Sequence, residues 1–344
     1  MTGQISIRQI AKELSLSPST VSLALNGRPG VSPKRREEVL AYCREVGYDM
    51  GRLRRSPGAG GSVAILTEVQ SIPDPRAAAP RMHAIQTLIE GAGYDLVVGY
   101  VTADDIQQQR IPRMILNQKD LRGILIGSCR HVELVRMLAA LDLPIVTTDF
   151  ETLDLPVHCV GCDNLGGGLI ATNYLLEKGH RNIGLISGLP DHPAHVARVL
   201  GYEQALKQAG VPVQRDLIID DLPTAHDTEA AQGAAARILT QRGGDVDAFF
   251  CITDELSTGC LKAIKQSGRR VPDDVSLISF DDKPFIAHLD PPLTAVHWPS
   301  TEMGRAAIRR LLEVIHPDTE PDVKTPRKIL LPARLVERES VAER

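Results

Sequence analysis

"LSPSTVSLALNG", residues 16–27, gathers Ser17, Ser19, Thr20 and Ser22 around a proline, with apolar residues at helical spacing. Ser17 suits a helix N-cap, and Pro18 suits the first helical position, where its missing N–H costs nothing. Val21, Ala24 and Leu25 recur at i, i+3 and i+4, the spacing of one buried helix face. Asn26-Gly27 ends the segment, since both residues tolerate left-handed backbone. Before it, Ser6 caps a helix with Ile7, Ile10, Ala11 and Leu14 on one face. After it, Ser32-Pro33 opens a third helix that runs to about Val46 and stops at Gly47. Two short helices joined by a tight turn, with a third packed behind, make a helix-turn-helix unit.

In such a unit the second helix enters the major groove, and its N-terminal residues meet phosphates and base edges. Short hydroxyl side chains at a helix start fit that task, because the free N–H groups and the helix dipole there also favour phosphate. An N-cap on an ordinary packing helix explains any one of these hydroxyls; the whole set beside a basic segment points to DNA. The expected contacts are Ile7, Ser17, Pro18, Ser19, Thr20, Ser22, Leu23, Asn26, Arg28, Ser32 and Arg36. Residues 1–56 hold ten Lys and Arg against five Asp and Glu, so the net −4 of the chain leaves the remainder at −9. A basic head on an acidic body suits a polyanion partner.

"DMGRLRRSPGAGGS", residues 49–62, is basic and then rich in Pro and Gly, the composition of a linker. Beyond it the pattern changes. "VAIL" (63–66), "DLVVGYV" (95–101), "GILIG" (123–127) and "PIVTTD" (144–149) alternate with amphipathic helical stretches. "NIGLIS" (182–187), "AFFCIT" (248–253) and "VSLISF" (275–280) repeat the pattern. Continuous apolar runs of this kind are parallel strands covered on both faces. The predicted architecture is a small all-α helix-turn-helix headpiece (1–50), a hinge (51–61), and an α/β core of two doubly wound parallel-sheet lobes (62–344). Lobe 1 is assigned about 62–161 plus 293–318, and lobe 2 about 162–292 plus 319–344. Ligands of such lobes bind at the carboxyl ends of strands, hence between two facing lobes.

Other classes find little support. Six cysteines at 43, 129, 159, 162, 251 and 260 lie mostly in apolar contexts, as in a reduced cytosolic protein. Cys159-x-x-Cys162 has no second ligand pair at zinc spacing, so a structural role is favoured. There is no G-x-S-x-G, Walker or G-x-G-x-x-G motif, and no histidine stands at a spacing that implies a nucleophile, so no enzyme, metal or cofactor is expected. The start lacks a basic-then-apolar leader and no run of 18 apolar residues occurs, which predicts a cytoplasmic protein without membrane contact.

The headpiece "IRQIAKELSLSPSTVSLALNGRPGVSPKRREEVLAYCREVGY" (7–48) resembles that of the LacI/GalR transcription regulators. So do "VGCDNLGGGLIATNYLLEKGHRNIGLISG" (160–188), "RVLGYEQALKQAG" (198–210), "RRVPDDVSLISFDD" (269–282), "DPPLTAV" (290–296) and "LPARLVERES" (331–340). The resemblance implies a homodimeric repressor that binds a near-palindromic double-stranded operator, with a periplasmic-binding-protein-like core holding a small effector, a carbohydrate in this reading. It also implies effector contacts at Arg198 and Asp281, whose guanidinium and carboxylate each suit paired hydroxyls. Asp149 at a strand end, Thr253 where the family has Asn, Trp298 in a crossover, and Ser128 complete the expected set. A surface ion pair for Arg198 and turn chemistry for Asp281 are the plainer alternatives. An activator, or a global regulator driven by a protein partner, also stays open.

Three departures stand out. Leu23 cannot pair bidentately with guanine, though it offers an apolar contact to a thymine methyl. In the hinge, Pro57 stands where the family places a minor-groove leucine. The expectation is weaker DNA bending, or a wedge moved to Leu53, with Arg52 and Arg55 on phosphates. In the first lobe, "SIPDPRAAAP" replaces the family's Asn-Pro-Phe-Phe.

Overall fold

A computed structural model describes residues 7–25, 31–46, 60–69, 75–127, 131–150, 155–190, 192–316 and 325–344. Three helices come first: α1 (Ile7–Glu13), α2 (Pro18–Leu25) and α3 (Pro33–Glu45). Ile10, Ala11, Val21, Ala24, Val39 and Cys43 form their common core, each at most 1% exposed. The i, i+3 pair Val21 and Ala24 turns one side of α2 inward.

The first α/β segment runs β1 (Ser62–Glu68), α4 (Pro75–Gly91), β2 (Asp95–Val101), α5 (Ala103–Gln107), α6 (Arg113–Leu116), β3 (Leu121–Gly127), α7 (Val132–Ala139), β4 (Ile145–Thr148) and β5 (His158–Cys162). The second runs α8 (Asn164–Glu177), β6 (Ile183–Gly188), α9 (Pro193–Gln208), β7 (Ile218–Leu222), α10 (Thr228–Arg242), β8 (Ala248–Cys251), α11 (Asp254–Gln266) and β9 (Ser276–Asp281). Then follow β10 (Thr294–His297), α12 (Ser300–Ile315), β11 (Lys328–Leu331) and β12 (Arg334–Val336). The strands make two six-stranded sheets, ordered β11-β5-β4-β3-β1-β2 and β12-β10-β9-β8-β6-β7. All described pairs are parallel except β10 with β12.

Strand alternation explains why both faces are covered. In β1, Val63 and Ile65 pack with Ile85, Ile89 and Leu311 of α4 and α12. Ala64 and Leu66 face the other way, with Leu134, Val135 and Leu138 of α7. A strand buried on both sides must read as a continuous apolar run, as "VAIL" does.

The crossovers fall later than the sequence reading placed them. Thr294–His297 stays in the second sheet, in register with Ile278–Asp281 of β9, and only α12 returns to the first lobe. Lys328–Leu331 joins the first sheet beside Cys159–Cys162, and the chain enters the second lobe at β12. Segments 293–318 and 319–344 are thus each divided between lobes. The chain crosses between the sheets after β5, β10 and β11, which brings the strand ends of both lobes face to face.

Candidate functional site

In the headpiece, the Ser17 hydroxyl accepts the Thr20 backbone N–H at 3.0 Å and meets Thr20 Oγ1 at 2.8 Å, capping α2. Ser17 and Pro18 are exposed, while Thr20 and Leu23 are half-buried. Ser19 and Ser22 also stand in α2, and Ile7 in α1. Ser32 is exposed and accepts the Arg35 N–H at 3.3 Å, and Arg36 is half-buried in α3. Asn26, Arg28, Arg52, Leu53, Arg55 and Pro57 lie outside the described residues, as does Ser128.

The cleft is organised by one buried guanidinium. Arg198 projects from α9 and is 4% exposed. Its Nε donates to Asn164 Oδ1 (2.9 Å), and its Nη1 donates to the Ile252 carbonyl (2.6 Å) and to Asp281 Oδ1 (3.0 Å). The guanidinium lies 3.6 Å from the centroid of the Phe280 ring. These contacts fix its plane, and among the described residues Nη2 forms no hydrogen bond. A held guanidinium with two N–H groups to spare is a preorganised donor for ligand oxygens.

The helices bring Arg198 there through glycines. A Cβ on Gly168 of α8 would lie 2.2 Å from the Arg198 carbonyl oxygen, and one on Gly201 of α9 would lie 2.3 Å from that of Leu165. Close approach of α8 and α9 therefore needs hydrogen at both positions.

Three aspartates adopt left-handed backbone at strand ends: Asp149 (φ 52°), Asp281 (φ 99°) and Asp282 (φ 64°). Such strain in non-glycine residues collects at functional sites. Asp149, after β4, accepts the Cys162 N–H at 3.0 Å. Burial pushes its carboxyl above the ordinary range, against the pull of that N–H and of Arg198. The Trp298 indole N–H stands near enough to favour the carboxylate, though the enclosed Nε1 forms no hydrogen bond of normal geometry. The Trp298 ring is used by the protein itself: Arg81 of α4 stacks over it at 5.7 Å.

Thr253 needs correction as an effector contact. It is 2% exposed, its hydroxyl donates to the Ala225 carbonyl (2.6 Å), and it caps α11 through the Leu256 N–H (3.4 Å). Its one O–H is therefore spent inside the protein and its oxygen is enclosed. Its neighbours were missed by sequence reading. Asp254 accepts from Ser279 Oγ (2.5 Å) and the Lys283 N–H (2.7 Å), and burial, with the Asp281 charge, pushes it well above the carboxylate range. Lys283 Nζ bonds both oxygens of Glu255 (2.7 and 2.8 Å) and lies 3.4 Å from Asp281 Oδ2. Burial opposes the Glu255 charge, but His226 and Lys283 outweigh it and bring the pKa down to about 2. Asn164 was missed as well, although it directly follows the quoted "CD" at the end of β5.

Cys159 and Cys162 are buried in β5, and burial pushes the Cys162 thiol up to about 12, which makes it inert. Among the described residues no group of three His, Cys, Asp or Glu could hold a metal. No described helix is long and apolar enough to cross a membrane. Beside the clamp lies a cavity of 230 Å³ whose walls include Asp149, Asn164, Leu165, Ala197, Lys328 and Leu330.

A periplasmic binding protein-like domain matches residues 172–341. The HTH-type transcriptional regulator CelR of Thermobifida fusca is 31% identical over 342 residues, covering 97% of each chain. The chain belongs to the LacI family of transcriptional regulators. The ribose operon repressor of Haemophilus influenzae is 28% identical over 97% of this chain and 98% of its own. Among solved structures, a CelR–cellobiose complex superposes with a TM-score of 0.70 at 28% identity, covering 98% of this chain and 99% of that one. A lac repressor dimer bound to operator shares the fold at a TM-score of 0.72 and 21% identity, covering 99% and 100%. These relatives are transcriptional regulators and repressors by name.

Proposed function

We propose that this LacI-family regulator is a cytoplasmic, homodimeric repressor whose operator affinity is set by a sugar bound between its lobes. The observation that carries the reading is Arg198: a buried guanidinium held by Asn164, Ile252 and Asp281, with Nη2 left over. Arg198, Asp281 and Asp149 are the proposed effector contacts, with Trp298 and Ser128 completing the proposed set. A relative solved with cellobiose and a relative named as a ribose operon repressor support a carbohydrate.

Residues 1–50 form the DNA-binding unit, and 51–61 the hinge to a core of residues 62–344. The exposed start of α2 presents Ser17 and Pro18, with Ser19, Thr20, Ser22, Leu23 and Asn26 along the same helix and its end. Ile7, Arg28, Ser32, Arg36, Arg52, Leu53 and Arg55 supply phosphate and flanking contacts. For the homodimer the support is exposed apolar surface on the first α/β segment, where Val69, Tyr100 and Leu116 are 43%, 55% and 59% exposed and would be covered by a second copy.

The test is selection from random duplex DNA, followed by fluorescence anisotropy with the recovered site and a panel of sugars. The expected result is an inverted repeat whose affinity one sugar changes in wild type but not in Arg198→Ala. Release of DNA marks that sugar as an inducer, and tightening marks a corepressor. An unchanged response in Arg198→Ala overturns the site assignment. Recovery of no sequence overturns the operator reading.

A further inference from the structure

The chain enters the first sheet through a closely held passage. The Gly60 N–H donates to the Gly93 carbonyl (3.1 Å), the Asp95 N–H donates to the Gly61 carbonyl (3.0 Å), and the Ser62 N–H donates to the Asp120 carbonyl (2.8 Å). A Cβ on Gly60 would lie 2.9 Å from the Gly93 carbonyl oxygen and 3.0 Å from Cε1 of Tyr94. The Tyr94 ring is therefore one wall of the passage. Tyr94 directly precedes β2, so this wall stands at the amino end of the sheet, opposite the strand ends that form the cleft.

Tyr94 is 4% exposed, and its hydroxyl lies 2.7 Å from Nε2 of His316. A phenol donates to an imidazole nitrogen or accepts from it, so the contact holds in either tautomer. His316 caps the end of α12, its N–H donating to the Leu312 carbonyl at 3.1 Å. The other end of α12 starts at the crossover: the Ser300 N–H donates to the Trp298 carbonyl (2.8 Å), and the Trp298 N–H to the Asp281 carbonyl (3.1 Å). The 16 residues between span about 24 Å at the helical rise. Neighbours grip this helix along its length. A Cβ on Gly304 would lie 2.8 Å from Cγ of Arg81, and one on Gly123 of β3 would lie 3.0 Å from Leu311 and Ile315. A helix packed this closely moves as a unit, with the crossover at one end and the wall of the passage at the other.

We propose that Tyr94 and His316 are positioning residues, the joint by which α12 fixes where the linker leaves the first lobe. The inference rests on the reading of residues 1–50 and 51–61 as the DNA-binding unit and hinge of a homodimer, and adds the residues that tie that hinge to the core. In a dimer, the two departure points set the distance between headpieces, and so the half-site spacing that the protein accepts.

The experiment uses the full chain and the inverted repeat recovered by selection, the same repeat with its spacer changed by one base pair, and a duplex carrying a single half-site. Wild type is expected to prefer the recovered spacing by about tenfold. Tyr94→Phe keeps the ring and loses only the hydroxyl. It should cut that preference about threefold, with single-half-site affinity within about twofold of wild type. Gly60→Ala presses on Tyr94 from the linker side and should act alike. His316→Leu should match Tyr94→Phe, while His316→Gln, whose amide both donates and accepts, should restore most of the preference. By linkage, saturation with the repeat should change the emission of Trp298, the single tryptophan, in wild type and not in Tyr94→Phe. A wild-type spacing preference in Tyr94→Phe, or an undiminished emission change, overturns the inference. Equal losses on the repeat and on the half-site also overturn it, since they would assign the pair to the stability of the fold alone. If selection recovers no repeat, the operator reading falls and takes this inference with it, an outcome distinct from the others.

Discussion

Asp281 accepts the backbone N–H of Trp298 at 3.1 Å while its side chain holds Arg198 at 3.0 Å. One residue therefore joins the Arg198 network to the segment that leaves β10 for the first lobe. Trp298 continues that line, with Arg81 over its ring and Asp149 beside its indole N–H. A ligand that shifts Asp281 moves a crossover by its backbone, a contiguous physical route for coupling two sites. Trp298 is the single tryptophan of the chain, so its emission reports this route without a label. Effector binding is expected to change Trp298 emission in wild type and not in Asp281→Ala. A full emission change in Asp281→Ala would sink the coupling route.

Loss of the Arg198 guanidinium should affect stability as well as ligand response. Asp281 is 10% exposed in its side chain, and removal of Arg198 leaves it with Lys283 alone at 3.4 Å. Stranding a buried carboxylate in this way costs about 3 kcal/mol. Chemical denaturation of Arg198→Ala should show that loss, and Arg198→Lys should recover part of it, since Lys restores charge but not the planar fork. Equal stability of wild type and Arg198→Ala would mean that the network is not held as described.

Much of this was legible in the sequence. The strands that read as continuous apolar runs all formed; in most of them burial on both faces leaves no polar position to confuse the pattern, while β2 at the sheet edge keeps Tyr100 exposed. β5, β7, β10, β11 and β12 were not foreseen. Each is short, and β5 carries His158, Gly161 and two cysteines that resemble a motif more than a strand. β5, β10 and β11 sit at the lobe crossovers, where the lobe boundaries were consequently misplaced. In the site, Arg198 and Asp281 were expected from the family resemblance and Asp149 from its place at a strand end, and the structure brings the first two together at 3.0 Å. Thr253 was misjudged because its hydroxyl is used by the cap, a hydrogen bond that spacing does not show. Lys283 and Glu255 were missed because their pairing crosses 28 residues.

The glycines under Arg198 make a separate prediction. Gly168→Ala puts a methyl 2.2 Å from the Arg198 carbonyl oxygen, and Gly201→Ala puts one 2.3 Å from that of Leu165. Backbone atoms cannot yield as a flexible side chain does, so each should cost about 2–3 kcal/mol and pull Arg198 out of line with Asp281. Gly233→Ala in α10 is the control, since a Cβ there meets nothing within 4 Å. It should stabilise the chain by about 0.5–1 kcal/mol through helix propensity. Thermal melts of the three variants test the contrast, and a Gly168→Ala protein as stable as wild type would refute the packing.

In the headpiece, Ser17 and Arg36 should separate two kinds of contribution to DNA binding. Ser17→Ala removes the cap on Thr20 N–H and should cost α2 about 1 kcal/mol. A neutral hydroxyl releases no counterion, so the salt dependence of operator affinity should be unchanged in this variant. Arg36→Ala should instead lower the salt slope by about one unit. Anisotropy titrations across a salt series test both, and a reduced slope for Ser17→Ala would contradict the assignment.

Glu255 gives the second lobe a defined acid response. Its pKa falls to about 2 from an ordinary 4.5, because His226 and Lys283 favour the carboxylate more than burial opposes it. A carboxyl depressed in the folded state contributes stability that is complete above the unfolded value and is lost as pH falls through the folded one. The window is therefore pH 4.5 down to about 2. The contribution is about 2–3 kcal/mol, reduced from the full shift because the side chain keeps some solvent contact. Asp254 acts with the opposite sign, since its carboxyl is pushed upward by burial and by Asp281. The informative quantity is consequently the difference between wild type and Glu255→Gln at each pH. That difference should be largest near neutral pH and shrink steadily below pH 4.5. A constant difference from pH 7 to pH 3 would show that Glu255 ionises no more readily in the fold than in the unfolded chain.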